Sequence, residues 1–452
     1  MSVHQKYAYW IQSGFYSSLQ KLSVLFFGIG SIMLLTRWLD KHDMGIWSLF
    51  LAIAAFIEII RHGLVKNAVI KYLNSSPESE KKFIYASALV LNILITVFIA
   101  IVLFLLMDTL VTLLKAYELK RILYIFGFGL LFLIPFSHFE WIQNSHADFK
   151  GIFWAWFWRQ FITLLLIVIT QGFYKNITLE LLAVYYCIGI FLGSLISYRF
   201  VHKYLTGTFI VTRTWMLRLW HFGKYVFGSN FSATIFRLTD LFFVSHFLFP
   251  AVVALQSISN RITNLTDIPS QVIGDILFPK SAQSDTAGNS TRIKFLYEKS
   301  VGGVLAFVIP ATLFIVIFPK FILLIIAGKQ YIDAAPYLQL IVLAGIFMPF
   351  LKQFGTIMDS TAKPKINFIV ISVIALVNIL LCYLLIRRYG LMGAGYALLL
   401  THLTGFIITQ NILNKYYQIN FLNCFKYAVG FYPEMFGLFY QKALKWNAHD
   451  QQ

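Results

Sequence analysis

The stretch at 90–106, VLNILITVFIAIVLFLL, runs for seventeen residues without a charge. A helix of this composition is apolar on every side, which suits lipid and not water. Crossing the hydrocarbon core takes about 20 apolar residues, so this stretch commits the chain to a membrane. Apolar runs of comparable length recur at 14–36, 44–65, 83–107, 122–143, 151–172, 179–198, 222–247, 251–278, 300–318, 333–358, 366–386 and 391–414. Their length selects helices, because barrel strands alternate over about ten residues. The expected fold is an all-α polytopic membrane protein with about twelve transmembrane helices. Composition agrees: of 452 residues 59% are hydrophobic and 12% charged, roughly half the charged share of soluble domains. Soluble enzyme classes are excluded on that ground.

Little else is left for chemistry. Cys187, Cys382 and Cys424 are far apart and in or near apolar stretches, which suggests neither a metal site nor a disulfide framework. There is no Walker motif, no His/Cys cluster and no nucleophile–base constellation. The polar start Met1–Ser13 leads into an apolar run without a small-residue cleavage pattern, so no cleaved signal is expected. Gly28 and Gly30, and Gly302 and Gly303, read as close-packing positions, since no strand precedes them. The prolines at 135, 269, 310 and 349 fall inside spans and predict kinks.

Lys and Arg set the orientation. Twenty lie on the side of the N-terminus and ten on the opposite side. Both termini are therefore expected to be cytoplasmic. The net charge of +18 reflects this asymmetry and contact with anionic lipid heads, not nucleic-acid binding.

The chain also reads as two halves of six spans, offset by about 210 residues, a pattern seen in transporters with a central substrate site. Lys150 opens the fifth helix of the first half, and Lys363 and Lys365 open that of the second. Turns near Gly172 and Gly390 join the fifth and sixth helices of each half. The expected organisation is an N-terminal lobe at 1–198, an amphipathic cytoplasmic linker at 199–221, a C-terminal lobe at 222–415 and an interfacial cytoplasmic tail at 416–452. A central cavity lies between the lobes in this scheme.

Seven cations fall inside predicted spans: Lys21, Arg61, Arg159, Lys224, Arg237, Arg261 and Lys352. Each costs about 2.5–3.5 kcal/mol at the bilayer centre unless it is paired, wet or snorkelling. Arg237 and Arg261 lie about 22 and 15 Å along their helices, too deep to snorkel easily. For Lys224, Lys352 and Arg61, snorkelling is the competing explanation. The acids are fewer: Glu58, Glu140, Asp240, Asp267 and Asp275. Glu58 with Arg61, and Arg237 with Asp240, are three residues apart and predict same-helix pairs. Lys21, Arg159 and Arg261 then have no local acid. Glu140 and His138 read as interfacial. A net cationic interior selects an anionic ligand, and phosphate or pyrophosphate suits Arg and Lys.

Five stretches, taken together, resemble the polysaccharide transporter family of the multidrug/oligosaccharidyl-lipid/polysaccharide (MOP) exporter superfamily. They are LLTRWLDKHDMGIWSLFLAI (34–53), with Arg37, Asp43, Gly45 and Trp47; FGKYVFGSNFSATIFRLTDLFFVSHFL (222–248), with Asp240; ITNLTDIPSQVIGDILFPKSAQ (262–283); AGKQYIDAAPYLQLIVL (327–343); and 360–400, with Lys363, Asn378, Gly390, Gly393 and Ala394. The resemblance covers roughly residues 14–415 and departs from the family at 250–256, where a glycine and a tyrosine are usual.

The resemblance implies two six-helix lobes around a cavity. It also implies a non-enzymatic flippase for undecaprenyl-pyrophosphate-linked oligosaccharide, such as the O-antigen unit of lipopolysaccharide or a capsular unit, in a bacterial inner membrane. Lys21, Arg61, Arg159, Arg237 and Arg261 are the expected diphosphate-facing cations, and Glu58 and Asp240 the expected gating or coupling acids. No cofactor or metal is expected. H+ or Na+ are candidate coupling ions that no residue distinguishes. Expected partners are the lipid-linked oligosaccharide, the bilayer and a polysaccharide polymerase machinery, with no nucleic acid. A lipid II-type flippase and a cation-coupled multidrug antiporter of the same superfamily are the alternatives. A membrane glycosyltransferase is disfavoured by the short loops.

Overall fold

A computed structural model describes residues 3–205, 209–286, 288–361 and 363–433, with side chains throughout except at 3–14, 225–237, 275, 276, 279, 282 and 286. The described residues are helical and contain no strand. In order the helices are α1 Val3–Trp38, α2 Lys41–Arg61, a π-helical turn His62–Lys66, α3 Asn67–Ser75, α4 Glu78–Leu113, α5 Leu119–Ser145, α6 Phe149–Tyr174, α7 Leu179–Val201, α8 Arg213–Phe247, α9 Pro250–Leu265 and α10 Ile268–Thr286. After these come α11 Ser290–Ile317, α12 Pro319–Ile326, α13 Ala335–Gly345, α14 Met348–Ser360, α15 Pro364–Tyr417 and α16 at 421–433. Among the described residues nine helical stretches are long and apolar enough to cross a membrane. The protein is a multi-pass membrane protein.

Short polar side chains start these helices. Asp40, Asp148, Thr178 and Asn289 each accept a hydrogen bond from the backbone N–H three residues on, at 2.7, 3.1, 3.3 and 2.9 Å. Left-handed residues stop three of them: Lys115, Lys175 and Gln418 have φ of 53, 52 and 53°. The turn expected near Gly172 sits at Lys175 instead, because α6 runs through Gly172 to Tyr174.

Gly390 does make its turn. With φ 58° and ψ −136° it breaks α15 into two crossings. A Cβ on Gly393 would lie 2.0 Å from Leu385 O, so only glycine lets the two arms meet. Asn378 accepts from Thr401 Oγ1 at 3.2 Å across this hairpin, and Lys363 donates to Tyr417 OH at 2.9 Å at its base. The family-like residues of 360–400 are thus hairpin fasteners.

Two of the four prolines do not kink a helix. Pro135 and Pro310 lie inside α5 and α11. Pro269 and Pro349 stand in the first turns of α10 and α14, where the missing N–H costs nothing. The spans expected at 251–278 and 333–358 are each two helices for that reason.

By packing the chain divides into two compact units, Met1–Ala254 with Ile326–Gly328, and Leu255–Ile325 with Lys329–Gln452. In the first unit α5 and α6 pack on α7, α1 on α6, and α8 lies over α2, the π turn, α3 and α4. The end of the amphipathic linker expected at 199–221 is the beginning of α8 itself, from Arg213 on. Trp215 and Leu219 are buried there beside Leu64, Val65, Val69 and Tyr85. In the second unit α10 packs on α11 and α14, and α13 and α14 pack on α15.

Gly45 shows why one family-like residue is small. A Cβ there would lie 1.8 Å from Pro250 O. Gly28 and Gly30, by contrast, have no described atom within 4 Å of such a Cβ, so the expected close packing is absent from them. Gly45→Ala should therefore lose about 1–3 kcal/mol by overpacking, while Gly28→Ala should be neutral or slightly stabilising. Thermal unfolding of the two variants in detergent measures the contrast.

Candidate functional site

The charges inside the first unit come together, but not in the pairs expected from spacing. Glu58 on α2 does not pair with Arg61, one turn away. It receives Arg159 from α6, with Arg159 Nη2 donating to Glu58 Oε1 at 2.6 Å and Nη1 to Oε2 at 3.4 Å. Tyr186 OH on α7 accepts from Arg159 Nη2 at 2.9 Å and donates to Glu58 Oε1 at 3.3 Å. The guanidinium also lies 5.0 Å from the ring centre of Phe136 and 4.7 Å from that of Trp156. Arg159, thought to lack an acid, is thus paired and buried.

Trp156 links this cluster to a second one. Its Nε1 donates to Glu140 Oε2 at 3.1 Å, and Lys66 Nζ donates to Glu140 Oε1 at 2.8 Å. Glu140 and His138 are buried among the helices. Lys66 closes the π turn, whose first residue, His62, accepts from Trp141 Nε1 at 3.0 Å. Helical wheels with a fixed period do not foresee such a turn, which shifts the facing of every residue after it.

Arg61 has another role. It is fully buried and bonds only neutral acceptors: Thr96 Oγ1 at 2.9 Å, Asn92 Oδ1 at 2.8 Å and Leu133 O at 3.0 Å. Asn92 donates in turn to Ile134 O at 3.0 Å. Both carbonyls lie just before Pro135, so one arginine ties α2 and α4 to the proline-containing part of α5. Its Nη1 has no partner among the described residues.

The approach of α6 to α7 depends on two glycines, Gly189 and Gly193. A Cβ on Gly189 would lie 2.5 Å from Arg159 O, and one on Gly193 3.0 Å from Arg159 Cβ. Gly189 and Gly193 are four apart, the spacing of close-packed membrane helices. That spacing was the available signal for Tyr186 and Arg159 sharing a site.

In the second unit Lys352 is ion-paired with Asp267, at the break between α9 and α10. Arg261, on α9, is partly exposed and makes no hydrogen bond or ion pair with any described residue. Of the remaining expected site residues, Lys21 is exposed on α1. Asp240 is buried on α8 and accepts from Leu241 N at 2.9 Å. The side chain of Arg237 lies outside the described residues, and so does the expected Arg237–Asp240 pair. Among the described residues no group of His, Cys, Asp and Glu has the arrangement of a metal site.

The described residues form a helical bundle with ion pairs between its helices, and known proteins resemble it. The sequence profile of the family described as polysaccharide biosynthesis protein matches residues 34–336. The chain belongs to this family. Among curated relatives, an uncharacterized membrane protein of Methanocaldococcus jannaschii is 23% identical over 232 residues, which is 51% of this chain and 46% of that protein. A protein of Haloferax volcanii described as a probable low-salt glycan biosynthesis flippase is 24% identical over 205 residues, 45% of this chain and 43% of that protein. The matched part of the chain thus spans under half the length of each relative.

Among solved structures, an inward-facing multidrug resistance MATE family transporter of the MOP superfamily aligns with a TM-score of 0.74 at 13% identity, covering 89% of this chain and 98% of its own. The lipid II flippase MurJ, in an inward closed conformation, also aligns at 0.74, with 14% identity and 94% and 92% coverage. The family member described here therefore has the MOP superfamily fold, as the resemblance in its sequence implied.

Proposed function

We propose that the chain flips a polyprenyl-pyrophosphate-linked oligosaccharide across a membrane, for assembly of a surface glycan. The observation that carries this reading is Arg261, a cation on α9 with no acid partner among the described residues. A diphosphate supplies the missing counter-charge, and its lipid tail can stay in the bilayer while the headgroup crosses. Membership of the polysaccharide biosynthesis protein family supports the same substrate class. So does the Haloferax volcanii relative, whose description names glycan biosynthesis.

In this reading Arg261 is the first diphosphate contact, with Lys21 and Arg237 as further cationic positions. Arg61 and Arg159 act by holding helices, since both guanidinium groups are buried and engaged. Glu58 and Asp240 are the candidates for gating, with H+ or Na+ as the coupling ion. Transport proceeds by alternating access of the lobes 1–198 and 222–415, without covalent chemistry or a cofactor. The membrane is the bacterial inner membrane with both ends of the chain cytoplasmic, and undecaprenyl is the lipid. A polymerase of O-antigen or capsular type then takes the flipped unit.

Cells lacking this protein, with and without a wild-type copy, test the reading. Surface glycan should be lost in the deletion while the lipid-linked unit builds up. Normal surface glycan with no build-up would contradict it. Drug efflux that falls instead would select the antiporter, and cell-wall failure with lethality would select a lipid II-type flippase.

A further inference from the structure

The helix α16 rises along α11 in the same direction. Glu298 on α11 accepts from Asn420 N at 2.9 Å and from Asn423 Nδ2 at 3.0 Å, an anchor at the base. Higher up, a Cβ on Gly302 would lie 2.5 Å from Tyr427 Cβ and 2.7 Å from Cys424 O, so the two helices touch through backbone. Higher still, Tyr432 OH donates to Ala306 O at 2.6 Å, and the Phe307 and Phe431 rings are 5.3 Å apart. As the α16 partner climbs from 420 to 432, its α11 neighbour climbs from 298 to 306.

Nothing between Ser300 and Ile317 on α11 is charged. Phe307 lies eight residues past Lys299, the last charge of α11, which is about 12 Å along a helix. The upper end of α16 is therefore level with apolar α11, well past the charged zone. Its free face is apolar apart from the exposed Lys426. Leu422, Phe425 and Val429 are 54, 39 and 71% exposed, and Lys426 is the one charge of 421–433. A helix lying flat in an interface has a charged face opposite its apolar one. Apolar residues on both faces mark a helix surrounded by protein and lipid. On α11 itself Phe307 and Phe314 are likewise exposed, so the two helices present one continuous apolar surface.

We propose that α16 is inserted into the bilayer alongside α11, with its outer face on lipid acyl chains, in place of the interfacial tail expected from the sequence. The inference rests on the membrane fold and not on the transported substrate. Lys426, near the base, reaches the headgroups with its long stem.

Nitroxide labels on single cysteines at Leu422, Val429 and, as a reference, Phe307 test this in phosphatidylcholine–phosphatidylglycerol vesicles. The three native cysteines are buried, and labelled wild type sets the background. Accessibility to oxygen relative to a nickel chelate reports depth. Val429 should be deeper than Leu422 by about 10 Å and approach the Phe307 value. Equal, shallow, nickel-accessible readings at 422 and 429 would overturn the proposal. Gly302→Leu, which fills the contact with Tyr427, should shift the Val429 reading while leaving that at Phe307 in place. An unchanged Val429 reading in that variant would refute docking on α11.

Discussion

Arg159→Leu alone should destabilise the protein by about 3–5 kcal/mol, while Glu58→Leu with Arg159→Leu should recover most of the loss. The reason is the geometry of the pair. Arg159 is buried, Glu58 is mostly so, and the two face each other through two hydrogen bonds. Removing the arginine strands a carboxylate among apolar helices, with Tyr186 as its only remaining described hydrogen-bond donor. Removing both partners leaves no charge to desolvate. The coupling energy of the double-mutant cycle, read from unfolding in detergent, isolates the interaction. An Arg159→Leu loss below about 1 kcal/mol, the scale of an exposed surface pair, would mean that Glu58 reaches water or another cation. Tyr186→Phe, which removes one hydrogen bond to each partner, should cost less, about 1–3 kcal/mol in all.

The second large effect is on transport. Arg261→Ala should lower the rate of flipping about 10- to 100-fold, the equivalent of a charge-assisted hydrogen bond of about 1.5–3 kcal/mol. Arg261→Lys should retain part of the activity, because the point charge remains while the planar fork is lost. Neither substitution should change stability by much, since Arg261 bonds no described residue. Arg61→Ala behaves differently. It removes three hydrogen bonds that tie α2, α4 and α5, so stability and transport should fall together. The split between an Arg261 variant that is stable but slow and an Arg61 variant that is unstable separates substrate contact from helix fastening. Unfolding curves and the transport assay on the same preparations read both.

Ten of the twelve expected spans fall, to within one residue, inside the nine membrane-length stretches of the described residues, because a bilayer imposes one length and one polarity on every helix that crosses it. The hairpin at Gly390 was legible for a similar reason: only glycine takes its backbone angles. Partners were not. Glu58 and Arg61 share a helix face at three-residue spacing, yet Glu58 pairs with Arg159, 101 residues away. Spacing reports what is near along one helix and says nothing of what a neighbouring helix brings. The link lay in Gly189 and Gly193, whose missing side chains let α7 close on Arg159.

Pro269 and Pro349 misled in another way, because a proline that bends one helix and a proline that starts the next look alike in sequence. The π turn at His62–Lys66 leaves no sequence signature, and it is what turns Lys66 toward Glu140. The cationic interior was half legible. Three of its cations, Arg159, Lys352 and nearby Lys66, turn out to be neutralised across helices, while among the described residues Arg61 bonds only neutral acceptors and Arg261 has no acid partner.

The most direct test of the central claim is flipping by the purified protein in proteoliposomes. A polyprenyl-pyrophosphate oligosaccharide is loaded in the inner leaflet, and its arrival outside is read with an impermeant lectin or glycosidase. The account predicts movement that needs wild-type protein, drops about 10- to 100-fold with Arg261→Ala, and is blocked by excess substrate of the same headgroup. Movement no faster than in protein-free vesicles, with correctly folded protein, would contradict it.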